Sequence, residues 1–110
     1  MDALIIKKPW IDLILAGEKT WEIRGTSTKK RGRVELIQSK SGLVVGCCEI
    51  IDCIKLDLEI YKNSVDKHCI NTIKELPYKT TYAWVLSNPV KYEKPRPYKH
   101  PKGAVIWVKL

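Results

Sequence analysis

Within one short stretch the chain places an ammonium, a carboxylate and a guanidinium: Lys19, Glu22 and Arg24. Arg24 can fork two hydrogen bonds to a phosphate or a base edge. Lys19 supplies a point charge. Glu22 can orient Arg24, or accept from an exocyclic amine such as that of cytosine. The spacing supports convergence, because Glu22 and Arg24 are two apart and project from the same face of a strand. Lys19 has the opposite parity, but it lies at a turn where strand parity is not yet set. The plainer alternative is a surface Glu–Arg pair worth less than about 1 kcal/mol.

Other groups add possible chemistry. Ser39 ends a strand and either presents a hydroxyl to a site or caps the turn through Lys40, Ser41 and Gly42. His100 sits in Tyr98-Lys99-His100-Pro101, where it is either a general acid–base group or a solvated loop histidine. His68 lies in a helical stretch and reads as structural or exposed. Of the four tryptophans, Trp21 and Trp84 have the apolar neighbours of core residues. Trp10 stands beside Lys7 and Lys8, where it could line a cleft mouth. Tyr92 and Tyr98 are interleaved with Lys91, Lys94, Arg96 and Lys99, a mixture of rings and cations suited to single-stranded nucleic acid or to packing on the domain. Cys47, Cys48, Cys53 and Cys69 lack the paired spacing of a zinc site, so they read as reduced small hydrophobes. No metal or cofactor is expected.

The elements that must position these groups follow from periodicity. An apolar segment over residues 3–6 precedes a helix over residues 9–16, begun by Pro9 and ended at Gly17. Residues 19–24 alternate as a half-buried strand, with Trp21 and Ile23 on one face. A basic loop over 25–32 leads to a strand over 33–38. A long β-prone run spans 43–54, with Gly46 marking a bulge or a close backbone approach. Helical spacing covers 56–69, and residues 70–76 read as a second short helix. A strand over 82–86 ends at Ser87-Asn88-Pro89. An extended, proline-rich loop or edge follows over 90–103, and a strand closes the chain over 104–110. Five or six short strands with two or three short helices make an α+β class. A small barrel is the natural way to remove sheet edges at this length.

The size, 110 residues, fits one domain over 1–110 with its own core. Hydrophobic residues at 45% and charged residues at 29% exclude a disordered tail, a collagen-like fibre and a coiled coil. No apolar run approaches the ~20 residues of a membrane span, and no secretory signal opens the chain, so a soluble, cytoplasmic protein is expected. The net charge of +8 is uneven. Residues 24–40 carry six bases and one acid, as do residues 88–110, while the rest is close to neutral. If the fold unites the two segments they form one basic face, the footprint of a nucleic-acid partner; otherwise they are two solvated loops.

The segment from Lys8 to Arg24, with its Pro9-Trp10 helix start and Gly17-x-Lys19-x-x-Glu22-x-Arg24, resembles the ASCH domain family, here its coactivator-type branch. Arg31-Gly32-Arg33 leading into a strand that ends at Ser39, Gly46 opening the run to Asp52, and the stretch from Tyr82 to Pro89 extend the resemblance over nearly the whole chain. The resemblance implies a small PUA-like β-barrel with a cleft beside the first helix, and binding of RNA, with DNA possible. Some members are catalytic: one branch hydrolyses N4-acetylcytidine and another is described as ribonucleolytic. The amidase branch places a threonine three residues after the cleft lysine, where this chain has Glu22. The binding residues expected on this basis are Lys8, Trp10, Lys19, Glu22, Arg24, Lys30, Arg31 and Ser39. Lys19 and Glu22 are the catalytic pair if the protein is an enzyme. Lys29 and Arg33 would help steer an RNA backbone. A third class, an interaction module, would dock an acidic protein on the basic segments.

Overall fold

In the computed structural model, which describes residues 1–110, six strands form one mixed sheet in the order β2-β5-β4-β3-β1-β6. These are β1 (Asp2–Ile6), β2 (Trp21–Arg24), β3 (Gly32–Gln38), β4 (Leu43–Leu56), β5 (Thr81–Pro97) and β6 (Trp107–Lys109). Three short helices, α1 (Trp10–Leu15), α2 (Leu58–Lys62) and α3 (Val65–His68), complete the α+β fold. Only β1 and β3 run parallel.

Strand alternation sorts the core. Leu4, Ile6, Val34 and Leu36 face one side, where Ile11 and Ile14 of α1 join Ile50, Trp84 and Leu86. Ala3, Ile5 and Ile37 face the other, against Val44 and Val108. A third cluster gathers Trp21, Ile23, Leu56, Tyr61 and Ala83. Trp21 and Trp84 are therefore core residues, as expected from their apolar neighbours. Gly46 is a close approach: a Cβ there would meet the Val90 carbonyl and Leu15 Cδ2 well inside van der Waals contact.

The sheet curls without closing. No backbone ladder joins β2 to β1 or β6. Side chains span the gap instead. Arg24 of β2 donates to the Ile5 carbonyl of β1 at 3.0 Å, and Trp84 stacks on Trp107 of β6 with centroids 5.8 Å apart. The closed barrel expected from the sequence is thus an open curled sheet with a seam. A β2 of only four residues is too short to zip that seam along its length.

Three further expectations are corrected. Residues 70–76 form no helix. Ile70, Ile73 and Leu76 still pack on the third cluster, but from irregular chain between the left-handed Cys69 and Pro77. The helical spacing over 56–69 is split into α2 and α3 at Asn63 and Ser64. The strand expected to end at Ser87-Asn88-Pro89 runs on to Pro97. Asn88 takes a left-handed φ of 51°, and the β4–β5 register shifts there. Beyond this point β5 has lost its β2 neighbour, so it becomes an edge where proline's missing N–H costs no ladder bond.

Gly46→Ala is expected to destabilise the fold by about 1–3 kcal/mol, because backbone lies on one side of the new methyl. Urea unfolding measures it; an unchanged midpoint would show that β5 yields freely at Val90.

Candidate functional site

The seam between β2 and β1 holds the cavity that matters. It measures about 400 Å³ and is lined by twelve residues, among them Lys7, Trp10, Lys19, Glu22, Arg24 and Ser39, with Ile70, Tyr78 and Val105 at its apolar side. Trp21 and Ile23 pack in the third cluster, and alternation turns Glu22 and Arg24 to the other face, where they line the cavity; Ile23 also borders it. Lys19 arrives from the turn after α1 and is 2% exposed.

The three charged groups lie together, Arg24 hydrogen-bonded to Glu22 and Lys19 within ion-pair distance of it. Arg24 donates through Nε and Nη2 to Glu22 Oε2, at 3.0 and 2.8 Å. Its Nη2 also reaches the Ile5 carbonyl. Lys19 Nζ lies 3.9 Å from Glu22 Oε1, donates to the His68 carbonyl at 2.5 Å and sits 4.8 Å from the Trp10 ring. Burial holds the Lys19 ammonium below the usual lysine range, against the pull of Glu22 in the opposite direction. Burying charged groups costs several kcal/mol per ion, which these contacts must offset. Glu22 Oε1 is the exception to saturation. It accepts no hydrogen bond, has the Lys19 ammonium at 3.9 Å, and belongs to a side chain that lines the cavity.

The lysine is held from behind by α3, a support the sequence did not reveal. His68 is fully buried and stacked on Tyr61, with centroids 4.4 Å apart. Its Nε2–H donates to the Tyr61 carbonyl at 2.7 Å, and its Nδ1 accepts from the Ile70 N–H at 3.0 Å. This arrangement needs the neutral ring, and burial lowers the His68 pKa accordingly. The Lys67 carbonyl accepts from the Thr20 N–H, so the end of α3 clamps the segment that carries Lys19. The helix stops there on Cys69 in the left-handed region, a residue type that does not mark such a stop in sequence.

Of the other expected residues, Ser39 lines the cavity and Lys8, Lys30 and Arg31 do not. Lys8 points away from the cavity toward Asp12 at 3.9 Å, and Lys7 takes the cavity position. Lys30 pairs with Asp2 and lies 5.0 Å from the Trp107 ring. Arg31 bonds the carbonyls of Thr28 and Lys30. Ser39 does line the cavity, while Ser41 bonds the turn carbonyl of Gln38. His100 bonds Tyr98 and the Ala104 carbonyl, outside the cavity. Cys47 and Cys48 are buried free thiols, and burial pushes Cys48 up to about 12. No group of three or more His, Cys, Asp or Glu side chains is placed to hold a metal, and no helix is long and apolar enough to cross a membrane.

The ASCH domain model matches residues 4–96. Three crystal structures of the ASCH protein from Zymomonas mobilis are similar in fold. A serine-to-alanine variant gives a TM-score of 0.75 at 12% identity, covering 99% of this chain and 87% of that one. A tyrosine-to-phenylalanine variant gives 0.75 at 12% identity, covering 99% and 88%. A further structure gives 0.67 at 13% identity, covering 82% and 68%. No curated protein matches the chain significantly.

The clamp predicts a pH dependence. His68 has a folded pKa below its unfolded value of about 6.5, so its stabilising contribution is complete above that pH and is lost as pH falls through the lower folded pKa. The urea midpoint should drop between about pH 7.5 and pH 5, and His68→Gln should flatten the dependence. An equal drop in the variant would assign the effect to other groups.

Proposed function

The chain belongs to the ASCH domain family, and from that premise we propose that its seam cavity holds one nucleobase of an RNA or a nucleotide. The observation that carries this reading is Glu22 Oε1, which accepts no hydrogen bond in the fold and has only the Lys19 ammonium near it at 3.9 Å, on a side chain 8% exposed that lines a cavity bordered by Trp10. A carboxylate oxygen in that setting accepts from an N–H of the ligand, and an exocyclic base amine supplies one. Leaving such an acceptor unpaired against a bound ligand would cost about 1–3 kcal/mol, which gives the site discrimination.

The charge balance points to a base edge over a phosphate. Arg24 is already bonded to Glu22 and Ile5, and Lys19 to His68. Arg24 holds Glu22 in place, and Lys7 at the cavity wall is the cation left for a ligand phosphate. The apolar side formed by Ile70, Pro77, Tyr78 and Val105 suits a flat ring with little charge. The family is PUA-like, with RNA-binding and hydrolase roles among its members, which agrees with a nucleobase ligand. The coactivator-type assignment within it belongs to this proposal as well, with RNA as the partner.

A second reading, hydrolysis of a nucleoside or RNA, is favoured by one observation: the desolvated Lys19, whose lowered pKa makes the neutral, proton-accepting amine more accessible. Glu22, three residues on, is acceptor-only when ionised and offers no hydroxyl nucleophile. Ser39 is the serine hydroxyl on the cavity wall.

Two experiments test these readings. Cytidine titration should detect binding, and Trp10→Ala should weaken it by about 1–3 kcal/mol because the base no longer has a ring to lie against. Absence of cytidine and adenosine binding by the parent protein would end the nucleobase reading. Incubation with N4-acetylcytidine and with labelled RNA tests the second. Turnover that disappears in Lys19→Ala supports hydrolysis, and no turnover by the parent protein removes it.

A further inference from the structure

The two basic segments separated in sequence meet on the sheet face away from α1. Arg33 of β3 and Lys94 and Arg96 of β5 line a shallow depression of about 400 Å³, with Glu35 and Tyr92 at its floor. The β4–β5 register creates it. Gly46 pairs with Lys91 but Val44 pairs with Arg96, so four residues of β5, from Tyr92 to Pro95, bulge out opposite Val45 alone. The bulge carries Tyr92 across β4 to reach Glu35 on β3.

Glu35 is 4% exposed and is held from three sides. Tyr92 donates its hydroxyl to the carboxylate, 2.7 and 2.8 Å from the two oxygens. Arg96 Nη2 donates to Oε1 at 2.5 Å, and Arg33 Nη2 lies 3.6 Å from Oε2 while donating to the Tyr92 hydroxyl. The Arg96 guanidinium also lies 5.2 Å from the Tyr92 ring. Both arginine side chains remain more than half exposed, at 57% and 61%. Each guanidinium has five N–H donors and spends only one or two inward. The buried carboxylate thus acts as a wedge: it relieves the repulsion between the two cations and fixes their spacing, while the remaining donors face outward. Lys94 has no hydrogen bond or ion pair in the fold. The depression is lined by three cations against one buried acid. Two further acids stand nearby and outside the lining: Glu49, opposite Arg33 across the β3–β4 ladder, and the exposed Glu93, on the bulge between Tyr92 and Lys94.

We propose that this depression is a second ligand site, one that holds phosphodiester groups of an RNA strand. The inference rests on the nucleobase reading for the identity of the strand, and it adds a separate backbone contact. Two preordered guanidiniums and a free ammonium match the forked geometry of phosphate oxygens. An acidic protein fits less well, because the lining offers no aliphatic anchor and its one ring lies beneath Arg96. Along β3 the depression takes Arg33 and Glu35 while Ser39 lines the cavity, so the two stand about 13–20 Å apart along the strand. A single nucleoside cannot occupy both, whereas a strand of several nucleotides can.

The test uses Lys94→Glu, which breaks no contact of the fold, together with Arg33→Gln. The probes are cytidine and an oligouridylate of about twelve nucleotides, titrated over a range of salt. Lys94→Glu should weaken the oligonucleotide roughly tenfold and reduce the steepness of its salt dependence by about 0.7 for each phosphate no longer neutralised, with cytidine affinity unchanged. Arg33→Gln should act in the same direction. An unchanged oligonucleotide affinity and salt slope in both variants overturns the proposal. So does equally tight binding of an oligoglutamate of matched charge, which would assign the face to an acidic protein. Weaker oligonucleotide binding by the variants of a parent protein that does not bind cytidine would keep this site and remove the nucleobase reading instead.

Discussion

One buried carboxylate organises the functional half of the molecule. Glu22 takes both Arg24 donors on one oxygen and has Lys19 as the nearest cation on the other. Arg24 in turn grips the Ile5 carbonyl across the seam. The gap in the sheet is therefore bridged by ions where a closed barrel would have a ladder. A side-chain bridge keeps the edges together yet leaves a wall of accessible polar atoms, which a run of backbone hydrogen bonds would not. The opening and the chemistry inside it have the same cause.

The same logic explains how a lysine with 2% exposure is tolerated. Its ammonium needs partners to offset desolvation, and the closest of them, the His68 carbonyl, comes from a four-residue helix with little intrinsic stability. That helix is made rigid by the buried neutral imidazole and its stacking on Tyr61. Site geometry and local stability are coupled through one ring. On the opposite face, Glu35 plays a comparable part for Arg33 and Arg96. In both places an interior acid fixes cations that would otherwise be mobile, a form of preorganisation.

Much of the site was legible because strand alternation is a local rule. Trp21 and Ile23 inward imply Glu22 and Arg24 on the other face, and Gly46 within the β-run implied a bulge or a close approach. What escaped depends on tertiary context. Whether Lys7 or Lys8 faces the cavity is decided by the chain's turn into α1, not by residue type. Helical spacing at Ile70, Ile73 and Leu76 is satisfied by loop residues laid over a cluster, so periodicity alone misreads it. Prolines that normally stop a strand are allowed in β5 because no neighbour demands their N–H, which only the sheet order reveals. The burial of Glu35 follows from a register jump that no sequence pattern encodes.

What meets Glu22 Oε1 decides the role of the seam cavity, and a crystal structure of the cytidine complex reads it directly. The base is predicted to lie in the cavity beside Trp10, its exocyclic amine within hydrogen-bond distance of Oε1, with the Glu22–Arg24 pair intact. A base bound elsewhere, or a ligand phosphate on Arg24 with Glu22 displaced, would contradict that role.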